Sequence, residues 1–207
     1  MSENIKIAVD AMGGENSPKK VIEGILENHK ENKDILYNIF GDLEKIESLL
    51  PRNYNKKIFN IVNTKNKILD TDSPLSAAKK GKDTSMWLTI QSVKNNQSDV
   101  AISAGNTGAL FVISKLNLQM IKNIDKPALS ALWPNKNNFN IVLDLGLNIE
   151  CNEKNLIDFS IMGSSLFKSL YPNDKAIVAL LNIGSEELKG NETITLTSPF
   201  INSLPSI

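Results

Sequence analysis

Five short polar segments of this 207-residue chain carry residue types that could hold an anion or steer a reacting group. In Ser103-Ala104-Gly105-Asn106-Thr107-Gly108 a strand ends, glycines turn the chain and a helix begins. The first N–H groups of a helix have no partner within it, and the dipole is positive there, so such an end takes phosphate readily. Ser103, Asn106 and Thr107 add neutral donors. The plainer reading, a tight strand-to-helix turn, stays open, because the segment is neither a Walker loop nor a dinucleotide fingerprint.

The other four segments follow the same logic. Asp10-Ala11-Met12-Gly13-Gly14 places a carboxylate at a strand end and paired glycines behind it, which let backbone approach a ligand closely. The rival reading is an ordinary turn whose carboxylate bonds to backbone. Lys82-Asp83-Thr84-Ser85-Met86 sets a lysine beside a helix start, where an anion or only solvent would face it. Asp144-Leu145-Gly146-Leu147-Asn148 ends another strand in a carboxylate, a glycine and an amide. Asn182 to Glu192 contains Lys189 and Asn191, again directly after a strand.

The elements that must position these residues alternate strand and helix. Strands are predicted at 5–11, 35–41, 57–64, 99–104, 128–133, 140–145 and 176–183, the last so apolar that it suits a central place with both faces covered. The 99–104 strand reads as buried. Ser17 and Ser73 each precede a proline and read as helix caps, and Asp42 caps a short helix. Helices are also predicted at 84–95, from Gly108 to about Met120, and at 155–170. Such alternation argues for a Rossmann-like three-layer α/β/α fold with a mainly parallel sheet, whose ligands bind beyond the carboxyl ends of the strands. From Thr193 to Ile207 no residue is charged, and two prolines with the scattered serines and threonines argue against a helix. The domain reading is therefore 1–192 as an incomplete α/β domain and 193–207 as an atypical uncharged tail.

Composition narrows the chemistry. Net charge is zero, which excludes a general attraction to nucleic acid or acidic membrane. Arg52 is the only arginine, so an arginine clamp would have to use it. His29 is the only histidine, read as solvent-facing near a helix end, and Cys151 the only cysteine; neither supports a nucleophile–histidine pair or a metal-ligand cluster. No cofactor is expected. With no signal-like stretch and no apolar run long enough to span a bilayer, a cytoplasmic protein is expected.

In this order the segments resemble the phosphate acyltransferases of bacterial phospholipid synthesis. The match is carried by Val9–Gly14 with Pro18, Lys82–Met86, Ser103–Leu110, Asp125–Leu129, Asp144–Asn148, Ile161–Ser164 and Leu180–Glu192. Glu15, Leu147 and Glu150 depart from the family pattern, and bulky Leu147 stands where a small residue is usual. The family chain continues well past Glu192, so the resemblance implies that its C-terminal part is missing here, by truncation or frameshift.

The resemblance implies a transferase that makes acyl phosphate from acyl-ACP (acyl-carrier protein) and inorganic phosphate. For that reaction Asp10, Lys82, Asn106, Asp144 and Asn148 are the expected catalytic residues. Gly13, Gly14, Ser103, Gly105, Thr107, Gly108, Lys189 and Asn191 go to substrate binding, with no metal. The resemblance further implies a homodimer, and a peripheral membrane association with a glycerol-3-phosphate acyltransferase. Two alternatives stand beside it: a phosphotransacetylase-like enzyme using acyl-CoA, and an inactive remnant. A nicotinamide-binding domain is disfavoured because no G-x-G-x-x-G follows the first strand.

Overall fold

The computed structural model describes residues 4–136, 138–184 and 191–203. The chain forms two compact units, Met1–Gln119 and Met120–Ile207.

In the first unit, β1 (Lys6–Asp10), β2 (Leu36–Gly41), β3 (Phe59–Asn63) and β4 (Val100–Ser103) pair in parallel in the order β3-β2-β1-β4. The sheet grows one way from β1 to β3 and then crosses back to β4 on the other side of β1. Right-handed crossovers therefore put the early and late helices on opposite faces. On one face α1 (Lys19–Glu31) and α2 (Leu43–Glu47) bury Ile22, Ile25 and Ile46 against Val9, Tyr37 and Ile39. On the other, α4 (Ser85–Lys94) packs across β1, β2 and β4, with α3 (Pro74–Lys79) and α5 (Thr107–Asn117) joined to it through Met86, Ile90, Ala109 and Ile113. This is the expected α/β architecture with a parallel sheet covered on both faces.

Local chemistry sets most boundaries. Asp42 and Ser73 cap α2 and α3 by accepting the amides of Lys45 and Ser76. Ser17 does not cap α1: Pro18 holds that position, and the Ser17 hydroxyl donates to the Gly13 carbonyl, closing the loop that precedes the helix. The fourth strand is not buried. Val100 and Ile102 are 43% and 50% exposed, because β4 is the edge of the sheet. His29 is half-buried, not solvent-facing. It packs edge-on against Phe59, ring centroids 5.0 Å apart, because its helix lies over that end of the sheet.

The second unit differs more from expectation. β5 (Ala131–Pro134) and β6 (Phe139–Val142) form a separate antiparallel pair, the geometry that so short a connection allows. α6 (Glu153–Leu170) starts from a capping box in which Asn152 and Asn155 serve each other's backbone. Residues 176–183 form no strand; Ile177 and Leu181 are each 90% exposed. An apolar run becomes a strand only against a hydrogen-bonding neighbour, and among the described residues this run has none.

The tail is helical where its prolines and hydroxyls argued otherwise: α7 spans Glu192–Ser203 and packs on α6. Asn191 accepts the Ile194 amide as a cap, and the hydroxyls of Thr195 and Thr197 bond back to the carbonyls of Asn191 and Thr193, so they follow the helix and do not compete with it.

Candidate functional site

The site begins with two strand ends held side by side. Asp10 and Ser103 are register partners in the parallel pair β1–β4, so the loops that follow leave the same edge of the sheet. Asp10 is 2% exposed and fully engaged. Its Oδ2 accepts the Ser103 hydroxyl at 2.7 Å, and its Oδ1 accepts the Met12 amide at 3.1 Å. Ser103 Oγ in turn accepts the Gly105 amide at 3.2 Å. Asp10 and Ser103 therefore position the two loops and turn the Gly105 N–H inward.

The glycines answer to this junction. A Cβ on Gly13 would lie 2.6 Å from Asp10 Oδ2 and 2.9 Å from the Gly105 nitrogen. Gly14 has a φ of +85°, and a Cβ there would lie 2.6 Å from the Ala104 carbonyl oxygen. The close neighbour that Gly13 and Gly14 admit is the second glycine loop. Beside the junction a groove of about 710 Å³ opens, lined by Gly13, Gly14 and Ala104 and by the apolar Val9, Val21 and Ile102.

The start of α5 is organised by Asn106. Its Oδ1 accepts the Ala109 amide at 3.0 Å, and its Nδ2 donates to the carbonyls of Asp70 at 3.1 Å and Asp72 at 2.9 Å. The segment it tethers is stiffened by the Asp72 carboxylate, whose pKa is held below the usual value by the Lys80 ammonium and the Leu69 amide. With Gly105 and Ala109 spent, the first-turn amides of Thr107 and Gly108 are left without an acceptor among the described residues. Thr107 is exposed; Pro74 closes over Gly108, where a Cβ would meet its Cγ at 2.7 Å.

The first turn of α4 reaches the same place with a side chain: Met86 Cε lies 3.0 Å from where a Cβ on Gly105 would stand. Lys82, on the loop before it, is exposed. The Asp83 carboxylate accepts Asn66 Nδ2 at 2.5 Å, and the Asp83 carbonyl accepts the Thr64 hydroxyl. Sequence reasoning gave Ser85 no role of its own; its buried hydroxyl has no partner among the described residues. A serine in a first helical turn gives no signal until its burial is known. Arg52 follows α2 and precedes β3, which puts it at the amino-terminal edge of the strands, away from this junction.

Asp144 and Asn148 belong to the second unit and make a cluster of their own. Asp144 accepts the amides of Leu129 at 2.8 Å, Leu147 at 3.3 Å and Asn148 at 2.7 Å, and Asn148 Nδ2 at 3.0 Å. The same Nδ2 donates to the Pro127 carbonyl at 2.9 Å. Asn191 caps α7. Lys189 lies outside the described residues. Among the described residues no group of three or more His, Cys, Asp or Glu could hold a metal ion, and no helix is long and apolar enough to cross a membrane.

The Asp144 cluster gives a pH prediction. Burial, the largest influence, raises its pKa, but the amides of Asn148 and Leu129, the Asn148 side chain and the Leu147 amide together outweigh it and hold the pKa below the ordinary 3.8. Folding thus favours the charged form, and the stability this contributes is present above 3.8 and lost as the pH falls through the depressed folded value. Asp144→Asn should unfold more easily than wild type near neutral pH, by about 1–3 kcal/mol. Paired denaturation curves should show the gap closing as the pH is taken below 3.8.

Comparison with known proteins places the sequence in a lineage. A family model described as "Fatty acid synthesis protein" matches residues 5–207. The phosphate acyltransferase of Pelagibacter ubique (strain HTCC1062) is 67% identical over 202 residues, covering 98% of this chain and 60% of that protein. That of Ehrlichia canis (strain Jake) is 41% identical over 197 residues, 92% of this chain and 58% of that protein. That of Maricaulis maris (strain MCS10) is 39% identical over 191 residues, 91% and 54%. The chain thus spans somewhat more than half the length of these curated relatives. A solved branched-chain phosphotransacylase from Enterococcus faecalis V583 aligns with 80% of this chain and 52% of its own, at 13% identity and a TM-score of 0.46, too slight a likeness to carry an argument.

Proposed function

The chain belongs to the phosphate acyltransferase family, and from that premise we propose that it transfers an acyl group from acyl-ACP to inorganic phosphate, giving acyl phosphate for phospholipid synthesis. A phosphate oxygen attacks the thioester carbonyl carbon. The carbon–sulfur bond breaks, the thiolate leaves with the electron pair, and the phosphate proton passes to solvent. A thiolate leaves readily, so no covalent enzyme nucleophile is required. What the protein must supply is position and charge stabilisation.

The observation that carries this reading is the start of α5, where the amides of Thr107 and Gly108 stand at the carboxyl edge of a parallel sheet beside two interlocked glycine loops. In this scheme those amides and the helix dipole hold phosphate, and Lys82 adds positive charge. Asn106 acts by fixing the helix start, and Asp10 by fixing Ser103 and Gly105. The acyl chain occupies the apolar groove along Val9, Val21 and Ile102. Asp144 and Asn148 order a loop for the substrate, with Lys189 and Asn191 in support. A cytoplasmic homodimer, associating with the membrane through a glycerol-3-phosphate acyltransferase, completes the proposal.

The test is product formation by the purified chain with phosphate and either acyl-ACP or acyl-CoA. Acyl phosphate from acyl-ACP in clear preference is the expected result. Preference for acyl-CoA would replace the carrier assignment with a phosphotransacetylase-like one. No product from either donor would leave the chain as a non-catalytic member of the family.

A further inference from the structure

The first turn of α4 carries donors that no acceptor among the described residues uses. Thr84 holds the N-cap position, yet its side chain makes no capping bond. The Ser85 amide donates to the Asn66 carbonyl at 2.9 Å, and the Leu88 amide to the Thr84 carbonyl at 3.0 Å. The amides of Met86 and Trp87, between them, have no acceptor among the described residues. These residues are deeply buried, with Thr84 2%, Ser85 1%, Met86 1% and Trp87 7% exposed. A helix end buried without partners is a costly arrangement unless something else supplies them.

Ser85 is the second, independent sign. Its hydroxyl is buried and has no hydrogen-bond partner among the described residues. Side chains of a first helical turn tilt toward the helix N-terminus, so this hydroxyl faces the same end as the spare amides. The same turn reaches toward the site through its side chain, since Met86 Cε touches the space over Gly105. Lys82 and Asp83, immediately before Thr84, are exposed, so solvent lies two residues away. The one carboxylate nearby in sequence, Asp83, is engaged by Asn66 Nδ2.

We infer that Ser85 is a phosphate-binding residue, its hydroxyl acting with the amides of Met86 and Trp87 to hold inorganic phosphate from the side opposite Thr107 and Gly108. The anion then lies between two helix starts, each offering amides and the positive end of a dipole. An anion of tetrahedral oxygens can accept from both sides at once, which a planar carboxylate cannot do as well. This inference rests on the reading of the chain as one that uses phosphate.

The test uses the purified chain, wild type and Ser85→Ala, melted at rising inorganic phosphate concentration, with phosphorus NMR line broadening as the direct measure of binding. Removing an unpartnered hydroxyl should leave melting without phosphate unchanged or slightly higher. Phosphate should raise the melting temperature of wild type, and Ser85→Ala should need at least about tenfold more phosphate for the same rise, a single lost hydrogen bond to a charged group. Equal phosphate responses in the two proteins would overturn the role of Ser85 and leave the phosphate reading standing. No response in either would overturn both. A variant that melts several degrees below wild type without phosphate would show that the hydroxyl serves the fold, and would also overturn the inference.

Discussion

Asn106→Asp should lower acyl phosphate formation by about 100-fold or more while keeping the start of α5 capped. Aspartate caps a helix as well as asparagine does, so the Ala109 amide keeps its acceptor. Two things change. The Nδ2 that donates to the carbonyls of Asp70 and Asp72 becomes an oxygen facing oxygens. A negative charge also appears beside the Thr107 and Gly108 amides, where an incoming phosphate must sit. Loss of that tether shifts the helix start that must hold phosphate, and a misplacement of about 1 Å alone can cost on the order of 100-fold, to which the repulsion is added. Asn106→Ala is the companion variant: it removes the cap as well and should unfold about 1 kcal/mol more easily. Steady-state rates with acyl-ACP and phosphate decide the matter, and activity within about threefold of wild type would remove Asn106 from the site, against the roughly 100-fold expected.

Gly13→Ala should be among the most damaging small changes in the first unit. Its new methyl would stand 2.6 Å from Asp10 Oδ2 and 2.9 Å from the Gly105 nitrogen. Neither neighbour can yield cheaply. Asp10 is held by Ser103 and Met12 in a buried site, and Gly105 is backbone at the turn into α5. Overpacking of this kind costs about 1–3 kcal/mol, and prising Asp10 from Ser103 adds the penalty of unmade buried bonds. The expected loss is about 2–4 kcal/mol in chemical denaturation. The amides of α5 would move with Gly105, and a displacement of about 1 Å can cost on the order of 100-fold in rate. Wild-type stability and rate in this variant would show that the two loops do not depend on one another.

Much of this arrangement was legible in the sequence. The strands of the first unit follow from their apolar patterning, and the caps at Asp42 and Ser73 from residue type and the proline that follows Ser73. The glycine loops could be located, and the alternation of elements placed them at one edge of a parallel sheet. What the residues face could not be read. Gly13 and Gly105 suggested backbone bared to a ligand, and they are glycines because the two loops press on each other. Asn106 has the right chemistry for phosphate, yet spends its oxygen and its nitrogen on its own chain.

The second unit shows the same limit in another form. Residues 176–183 have the composition of a central strand, but composition does not provide the neighbour that makes one, and Ile177, Leu181 and Ile183 stand exposed. The tail reversed the other way. Its prolines and hydroxyls read against a helix, yet the Thr195 and Thr197 hydroxyls turn back onto the preceding carbonyls behind an asparagine cap. Ser85 marks the extreme case, where residue type says almost nothing and burial without a partner among the described residues says a great deal.

The most direct measurement supplies the purified chain with acyl-ACP and phosphate labelled with oxygen-18 at every position, and weighs the product. Attack by a held phosphate on the thioester carbon predicts acyl phosphate that keeps every labelled oxygen, the bridging one included. Acyl phosphate with an unlabelled bridge, or labelled phosphate left unacylated while the thioester is hydrolysed, would contradict the account.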